Sequence, residues 1–222
     1  MSGVEKLSKV IASKISTNLS IDKDHEEVLA YGAFALIQTL MSILVIVVFG
    51  VFFNVLMESL VISFSAAILR KFSGGDHASS PVNCALIGMI IFGGLSILVK
   101  NIVMNINFLY LVAVMIMAFA FTFYIMFKYS PVGCANKPLK NQNIRKHLRR
   151  QSIVFVLSLL IINIILITVY LKTKNTYLLS IAVCISTGIV WQSITLVSLG
   201  HLIIEKLDKV IGGIKIFKRR TN

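Results

Sequence analysis

Apolar residues run through this chain in long blocks, and polar residues gather in the short breaks between them. A bilayer's hydrocarbon core, about 30 Å thick, takes about 20 apolar residues of helix, so such blocks read as membrane spans. Over residues 28–69 a single charge, Glu58, interrupts the pattern. That length predicts two helices joined by a turn around residues 50–54. Residues 84–99 predict a third span and 102–127 a fourth long enough to tilt, with Lys100, Asn101, Asn105 and Asn107 marking the turn. A fifth covers 153–171. After a tight turn at 172–175, a sixth begins near Tyr177 and reaches about Gly200. The predicted fold is therefore all-α and polytopic, with about six transmembrane helices in one membrane domain, 28–204.

Both flanking segments read as helices lying along the membrane. In 1–27, Val4, Leu7, Ile11 and Ile15 recur at helical spacing while Lys6, Lys9 and Lys14 occupy other positions. Toward the C-terminus, Ile203, Leu207, Val210, Ile211 and Ile214 form a stripe beside Lys206, Lys209 and Lys215, and the tail 205–222 closes on Lys218, Arg219 and Arg220. The first long apolar run starts only after an acidic cluster at 22–27 and lacks a small-residue cleavage pattern, so no signal-peptide processing is expected.

Composition sharpens the class. With 57% hydrophobic and 14% charged residues in 222, a soluble enzyme is excluded, because a domain of this size has too much surface to wet. Three cysteines, Cys84, Cys134 and Cys184, make no disulfide framework. The net charge of +13 has a topological explanation. On the six-span reading, nineteen of the 22 Lys and Arg residues fall on the side of the termini and only Lys100, Lys172 and Lys174 on the other. Basic loops stay in the cytoplasm, so both termini and the segment 70–84 are expected inside, and no nucleic acid is needed to account for the charge.

One polar connection is more than a basic loop. Segment 70–84 holds Arg70, Gly74, Gly75, His77 and Cys84. Ser80 followed by Pro81 is a helix-start signal, which puts Cys84 in the first turn of the third span. The helix dipole and nearby cations favour a thiolate there, and the thiolate is the nucleophile. The two glycines permit the positive φ values that a fold-back needs, so that His77 can reach Cys84 as general base. Backbone N–H groups of the same first turn are candidates for an oxyanion hole. The bland reading of the same residues is an interfacial turn, with His77 solvated and Cys84 a small packing residue.

The surrounding residues decide between these readings. Arg70, Gly74-Gly75, His77-Ala78 and Cys84, placed between a second and a third span, resemble the accessory gene regulator B family of Gram-positive bacterial quorum sensing. Tyr129-Ser130-Pro131 and then Asn136-Lys137-Pro138 are similar to that family's segment between the fourth and fifth spans. The resemblance implies a membrane cysteine endopeptidase that cleaves a small signalling propeptide and promotes its cyclisation to a thiolactone or lactone. It makes Cys84 the nucleophile and His77 the base and later acid. Arg70, Gly74, Gly75, Ser80 and Lys137 become candidates for substrate binding or loop geometry, and no metal or other cofactor is implied. Implied partners are an amphipathic propeptide with an acidic tail and a second copy of the chain in a dimer, in a bacterial cell membrane. The rival class is a small peptide exporter without peptidase activity, against which the spans lack paired Gly/Pro-broken helices.

Other residues fit supporting roles. Glu58 lies twelve residues, or about 18 Å of helix, from Arg70, too far for a triad, and is expected to snorkel or to bond another helix. Asp76, Ser79, Ser80 and Asn83 are all open as orienting groups. Cys134 and Cys184 are expected to be structural, and His201 and Glu205 to pair at i,i+4. The basic segment 128–150 reads either as a topology signal that binds anionic lipid or as a recognition site for the acidic tail.

Overall fold

A computed structural model describes residues 3–19, 22–75, 80–132 and 141–220, with side chains described as far as Gly212. Among these residues the chain forms eight helices: α1 (Gly3–Leu19), α2 (Lys23–Phe52), α3 (Leu56–Ser73), α4 (Pro81–Asn105), α5 (Phe108–Tyr129), α6 (Gln142–Thr173), α7 (Thr176–Ile194) and α8 (Ser198–Arg220). Five of them, α2, α4, α5, α6 and α7, are long and apolar enough to cross a membrane. The protein is polytopic, as its hydrophobic pattern predicts.

The second expected span, α3, is formed but differs in kind from the other five. Its 18 residues carry Glu58 in the first turn and Arg70 and Lys71 in the last, each sign at the helix end whose dipole favours it. Ser59, Ile62, Ser63, Ser65, Ala66 and Leu69 between them are buried. α3 packs on α7, which also meets α4, α5 and α6 and so forms the hub of the bundle. Small residues allow the α3–α7 approach: a Cβ on Gly188 would stand 2.5 Å from the Ile62 carbonyl oxygen.

Turn chemistry sets the helix ends. The α2–α3 turn falls at residues 53–55, where Asn54 takes φ +55°, and Gly50 lies so close to Leu56 and Ser59 that a Cβ would clash. The expected turn around Lys100 and Asn101 instead falls at residues 106–107, where the Asn107 side chain caps α5 by accepting from Leu109 N–H at 3.1 Å. Lys100 stays helical, and its Nζ donates to the Asn54 carbonyl at 2.7 Å. The α2–α3 turn and the end of α4 therefore share one end of the bundle. At the start of α2, Asp22 is the N-cap, and the backbone N–H of His25, followed by its side chain, holds the Asp22 carboxyl below the usual carboxylate range.

Three further boundaries depart from the sequence expectation. α6 begins at Gln142, so Arg145, Lys146, Arg149 and Arg150 belong to a helix and not to a loop. α7 ends at Ile194 and does not reach Gly200. A π-helical turn over Met89–Gly93 interrupts α4, with Gly93 set against the Phe49 ring.

The two amphipathic helices meet the bundle differently, α1 by a face other than its bulkiest one. α1 lies on α2 through Ser8, Ala12 and Ser16, leaving Leu7, Val10 and Ile15 outward. α8 turns Gly200 and Ile204 inward and leaves Leu202, Ile203 and Val210 exposed. Glu205 of this helix pairs with Lys209 at 2.6 Å, which lowers the Glu205 pKa and raises that of Lys209.

Candidate functional site

The end of α3 is held by hydrogen bonds from two sides. Gly74 takes φ +76° and ψ −156°, a conformation open in practice to glycine, and its N–H closes the helix on the Arg70 carbonyl at 2.9 Å. Gly75 follows at φ +129°. On one side Gly74 pairs with Val132 as a parallel bridge, and Val132 N–H donates to the Ser73 carbonyl at 2.9 Å. The segment bearing Val132 is itself fixed. Arg149 Nε donates to the Ser130 carbonyl at 2.7 Å, and the hydroxyls of Ser130 and Ser152 stand 3.2 Å apart. On the other side, Gln192 of α7 donates from Nε2 to Ser73 Oγ at 3.0 Å and to the Gly74 carbonyl at 2.9 Å.

The start of α4 follows the sequence signal. Ser80 is the N-cap, its side chain accepting from Asn83 N–H at 3.2 Å, and Pro81 opens the helix. Cys84 is half-buried, and its N–H donates to the Ser80 carbonyl at 2.9 Å. These bonds narrow the expected oxyanion hole. Pro81 has no N–H, and those of Asn83 and Cys84 are already engaged, which leaves Val82 as the first-turn donor.

Arg70 and Cys84 line one cavity of about 130 Å³, together with Phe92 of α4, Trp191 of α7 and Ile204 of α8. The structure thus brings together two residues fourteen apart in sequence. His77, Asp76, Ser79, Cys134 and Lys137 lie outside the described residues. Cys184 is fully buried in the core. A second, larger groove of about 350 Å³ opens between α3 and α6, floored by Phe72, Val154 and Phe155 and rimmed by His147 and Arg150.

Several residues at the site were not legible as such in the sequence. Asn83, a candidate orienting group, is buried and donates from Nδ2 to Asp208 Oδ1 of α8 at 2.6 Å. Asp208 sits in a basic tail, which masks it. Trp191 and Gln192 carry no charge, although a polar side chain at the end of an apolar run is a signal of the same kind as an intramembrane charge.

α8 bears on access to Cys84, since Ile204 walls the cavity and Asp208, one turn on, ties the helix to α4. Asp208→Ala is expected to loosen that tie and to raise the rate of Cys84 alkylation by a small maleimide several-fold, about the effect of one ordinary hydrogen bond. Asp208→Asn keeps an acceptor for Asn83 and should react at close to the wild-type rate. Equal rates in wild type and Asp208→Ala would show that α8 does not cover the thiol.

The chain is similar to known proteins along most of its length. The family model for accessory gene regulator B matches residues 8–196, a range that includes α2 to α7 and stops before α8. An AgrB-like protein of Clostridium perfringens strain SM101 is 37% identical over 206 residues, covering 92% of this chain and 96% of its own. A second AgrB-like protein, from strain 13 of the same species, is 35% identical over the same shares. Protein FsrB of Enterococcus faecalis is 26% identical over 81% of this chain and 67% of its own. No solved structure matches. Matched along most of its length, this polytopic membrane protein belongs to the accessory gene regulator B family.

Proposed function

We propose that the protein is a membrane cysteine endopeptidase that cuts a small signalling propeptide and passes the acyl group to a side chain of the same peptide, closing a thiolactone or lactone ring. The observation that carries this reading is the placement of Cys84. It lies in the first turn of a capped helix, on one cavity with Arg70, whose carbonyl accepts from the N–H of a Gly74 fixed from two sides. Family membership supplies the peptide-processing context.

In this scheme His77 removes the thiol proton and Cys84 Sγ attacks the scissile carbonyl. The C–N bond breaks, the C-terminal fragment leaves as an amine with the proton from His77, and a thioester joins the N-terminal part to Cys84. A thiol or hydroxyl of the bound peptide then takes the acyl group and frees the enzyme. Arg70 anchors the peptide or the loop, Gly74 and Gly75 set the loop's geometry, Ser80 caps the nucleophile's helix, and Lys137 with its basic neighbours receives the acidic tail.

The first step turns a stable amide into a reactive thioester and runs uphill, so it needs water kept out and product removed. The Cys84 cavity is apolar on most of its wall, which suits the first need. At about 130 Å³ it is smaller than most ligand sites, so a peptide must widen it, and α8, which walls it with Ile204, is tied to α4 by Asp208. The wider groove at Phe72 and Arg150 adjoins the last turn of α3 and fits an apolar segment with an anionic end. The enzyme acts in a bacterial cell membrane with both termini and the catalytic loop on the cytoplasmic side, in contact with anionic lipids and as a homodimer.

The test is processing of the cognate propeptide by the purified protein in vesicles, followed by mass spectrometry. The expected products are a macrocycle and a free C-terminal fragment, and adding a protease-resistant copy of that fragment should lower the macrocycle yield. Intact propeptide moved across the membrane without cleavage would favour the exporter reading instead.

A further inference from the structure

Gln192 is an expensive residue where it stands. It lies near the end of α7, the most buried of the candidate spans, and is 2% exposed. A primary amide moved from water into such surroundings loses its hydration unless every polar atom finds a partner. Both partners of its nitrogen belong to the same short segment: Ser73 Oγ at 3.0 Å and the Gly74 carbonyl at 2.9 Å. A carbonyl oxygen can only accept, so the amide face toward Gly74 is the NH₂ and its orientation is fixed by the bonding.

Those two bonds hold the point at which the chain leaves α3. Gly74 N–H closes on the Arg70 carbonyl, so a shift of Gly74 is a shift of the turn that presents Arg70 to the Cys84 cavity. The next residue, Gly75, comes so near that a Cβ there would lie 3.6 Å from Gln192 Nε2 and 3.5 Å from Thr195 Oγ1. Trp191, adjacent on α7, lines the Cys84 cavity. One step of α7 therefore provides both a cavity wall and the brace of the loop.

We propose that Gln192 is a positioning residue of the reaction: through its paired hydrogen bonds to Ser73 and Gly74 it sets the turn that carries Arg70 and the exit of the chain toward His77. It touches neither the nucleophile nor the scissile bond. This inference rests on the peptidase reading above and adds a residue that the reading does not require.

The test uses the full-length protein in vesicles with its cognate propeptide and measures kcat and KM for wild type, Gln192→Met, Gln192→Glu, Ser73→Ala and Cys84→Ser. Methionine keeps the volume and removes both bonds. Gln192→Met should lower kcat about 10-fold to 100-fold with KM within about twofold, the signature of lost alignment and not of lost binding. Ser73→Ala, which removes one bond, should lower kcat by a smaller factor. Gln192→Met combined with Ser73→Ala should be no slower than Gln192→Met alone, because the two residues share one interaction. Gln192→Glu, neutral in such surroundings, can still donate one bond and should recover part of the loss.

A Gln192→Met protein with wild-type kcat overturns the inference, as does one that loses kcat only in proportion to its loss of folded protein by thermal melting. Where Gln192→Met fails to fold, Ser73→Ala and Gln192→Glu decide: kcat lowered at constant KM supports the inference, and wild-type kcat in both overturns it. Cleavage by Cys84→Ser overturns the peptidase reading and this inference together. An inactive Cys84→Ser beside an unaffected Gln192→Met overturns this inference alone.

Discussion

Cys84→Ser is expected to end propeptide cleavage, with kcat down at least about 10⁴-fold. The substitution exchanges sulfur for oxygen at nearly constant shape, in a helix turn whose cap and backbone bonds, Ser80 Oγ to Asn83 N–H and the Ser80 carbonyl to Cys84 N–H, do not involve the side chain. The fold should therefore survive, and the loss isolates the chemistry. A thiol at neutral pH holds a useful fraction of thiolate and is intrinsically nucleophilic, whereas an alcohol needs a stronger base than one imidazole arranged for a thiol. His77→Ala should cost about as much, because nucleophile and base act as a unit. Cys134→Ala should cleave at the wild-type rate. Cys184→Ala should act on stability alone, since its side chain is fully buried among core residues of α3, α4, α5 and α7. Mass spectrometry of products from membranes at matched protein level reads all four.

Gly74→Ala is the second large effect. An added Cβ would stand 2.0 Å from the Val132 carbonyl oxygen, a backbone atom that cannot turn aside, and φ +76° with ψ −156° is a conformation costly to any L-residue. Either the bridge to Val132 opens or the end of α3 moves, and both displace the exit toward His77. Processing should fall by at least about 10²-fold while the helical bundle persists, because backbone strain of about 1–3 kcal/mol and the displaced contact with Val132 are confined to the turn that ends α3. Gly75→Ala meets nothing nearer than 3.5 Å and bears only the strain of its φ of +129°, so its loss should be smaller. Gly32→Ala, with open space at its Cβ, is the control and should leave processing unchanged while raising stability slightly. Equal activity in Gly74→Ala and wild type would mean that the pairing of Gly74 with Val132 has no part in the reaction.

The contrast between what the chain announces and what it hides has physical causes. Ser80-Pro81 reads directly because N-capping is local, decided by residues within one turn. The split between α2 and α3 reads because two bilayer lengths cannot be one straight helix. The start of α6 is hard to read because a run of charge has the composition of a loop, yet Lys, Arg and Gln are good helix formers and carry the helix out of the apolar zone. The protein-facing stripe of α1 is hidden because close contact with α2 is made by the small residues Ser8, Ala12 and Ser16, and bulky side chains are left to face outward. The partners of Gln192 and Asp208 are hidden for a different reason. They lie 118 or more residues away, and no local pattern encodes a bond of that range.

The most direct test of the account is intact-mass analysis of the protein during turnover, quenched in acid and split into two portions, one treated with neutral hydroxylamine. The account predicts a mass increase equal to the N-terminal part of the propeptide, mapped to Cys84 and removed by hydroxylamine, as a thioester must be. Cleaved propeptide with no adduct at any time of quenching, or an adduct mapped to Cys134, would contradict it.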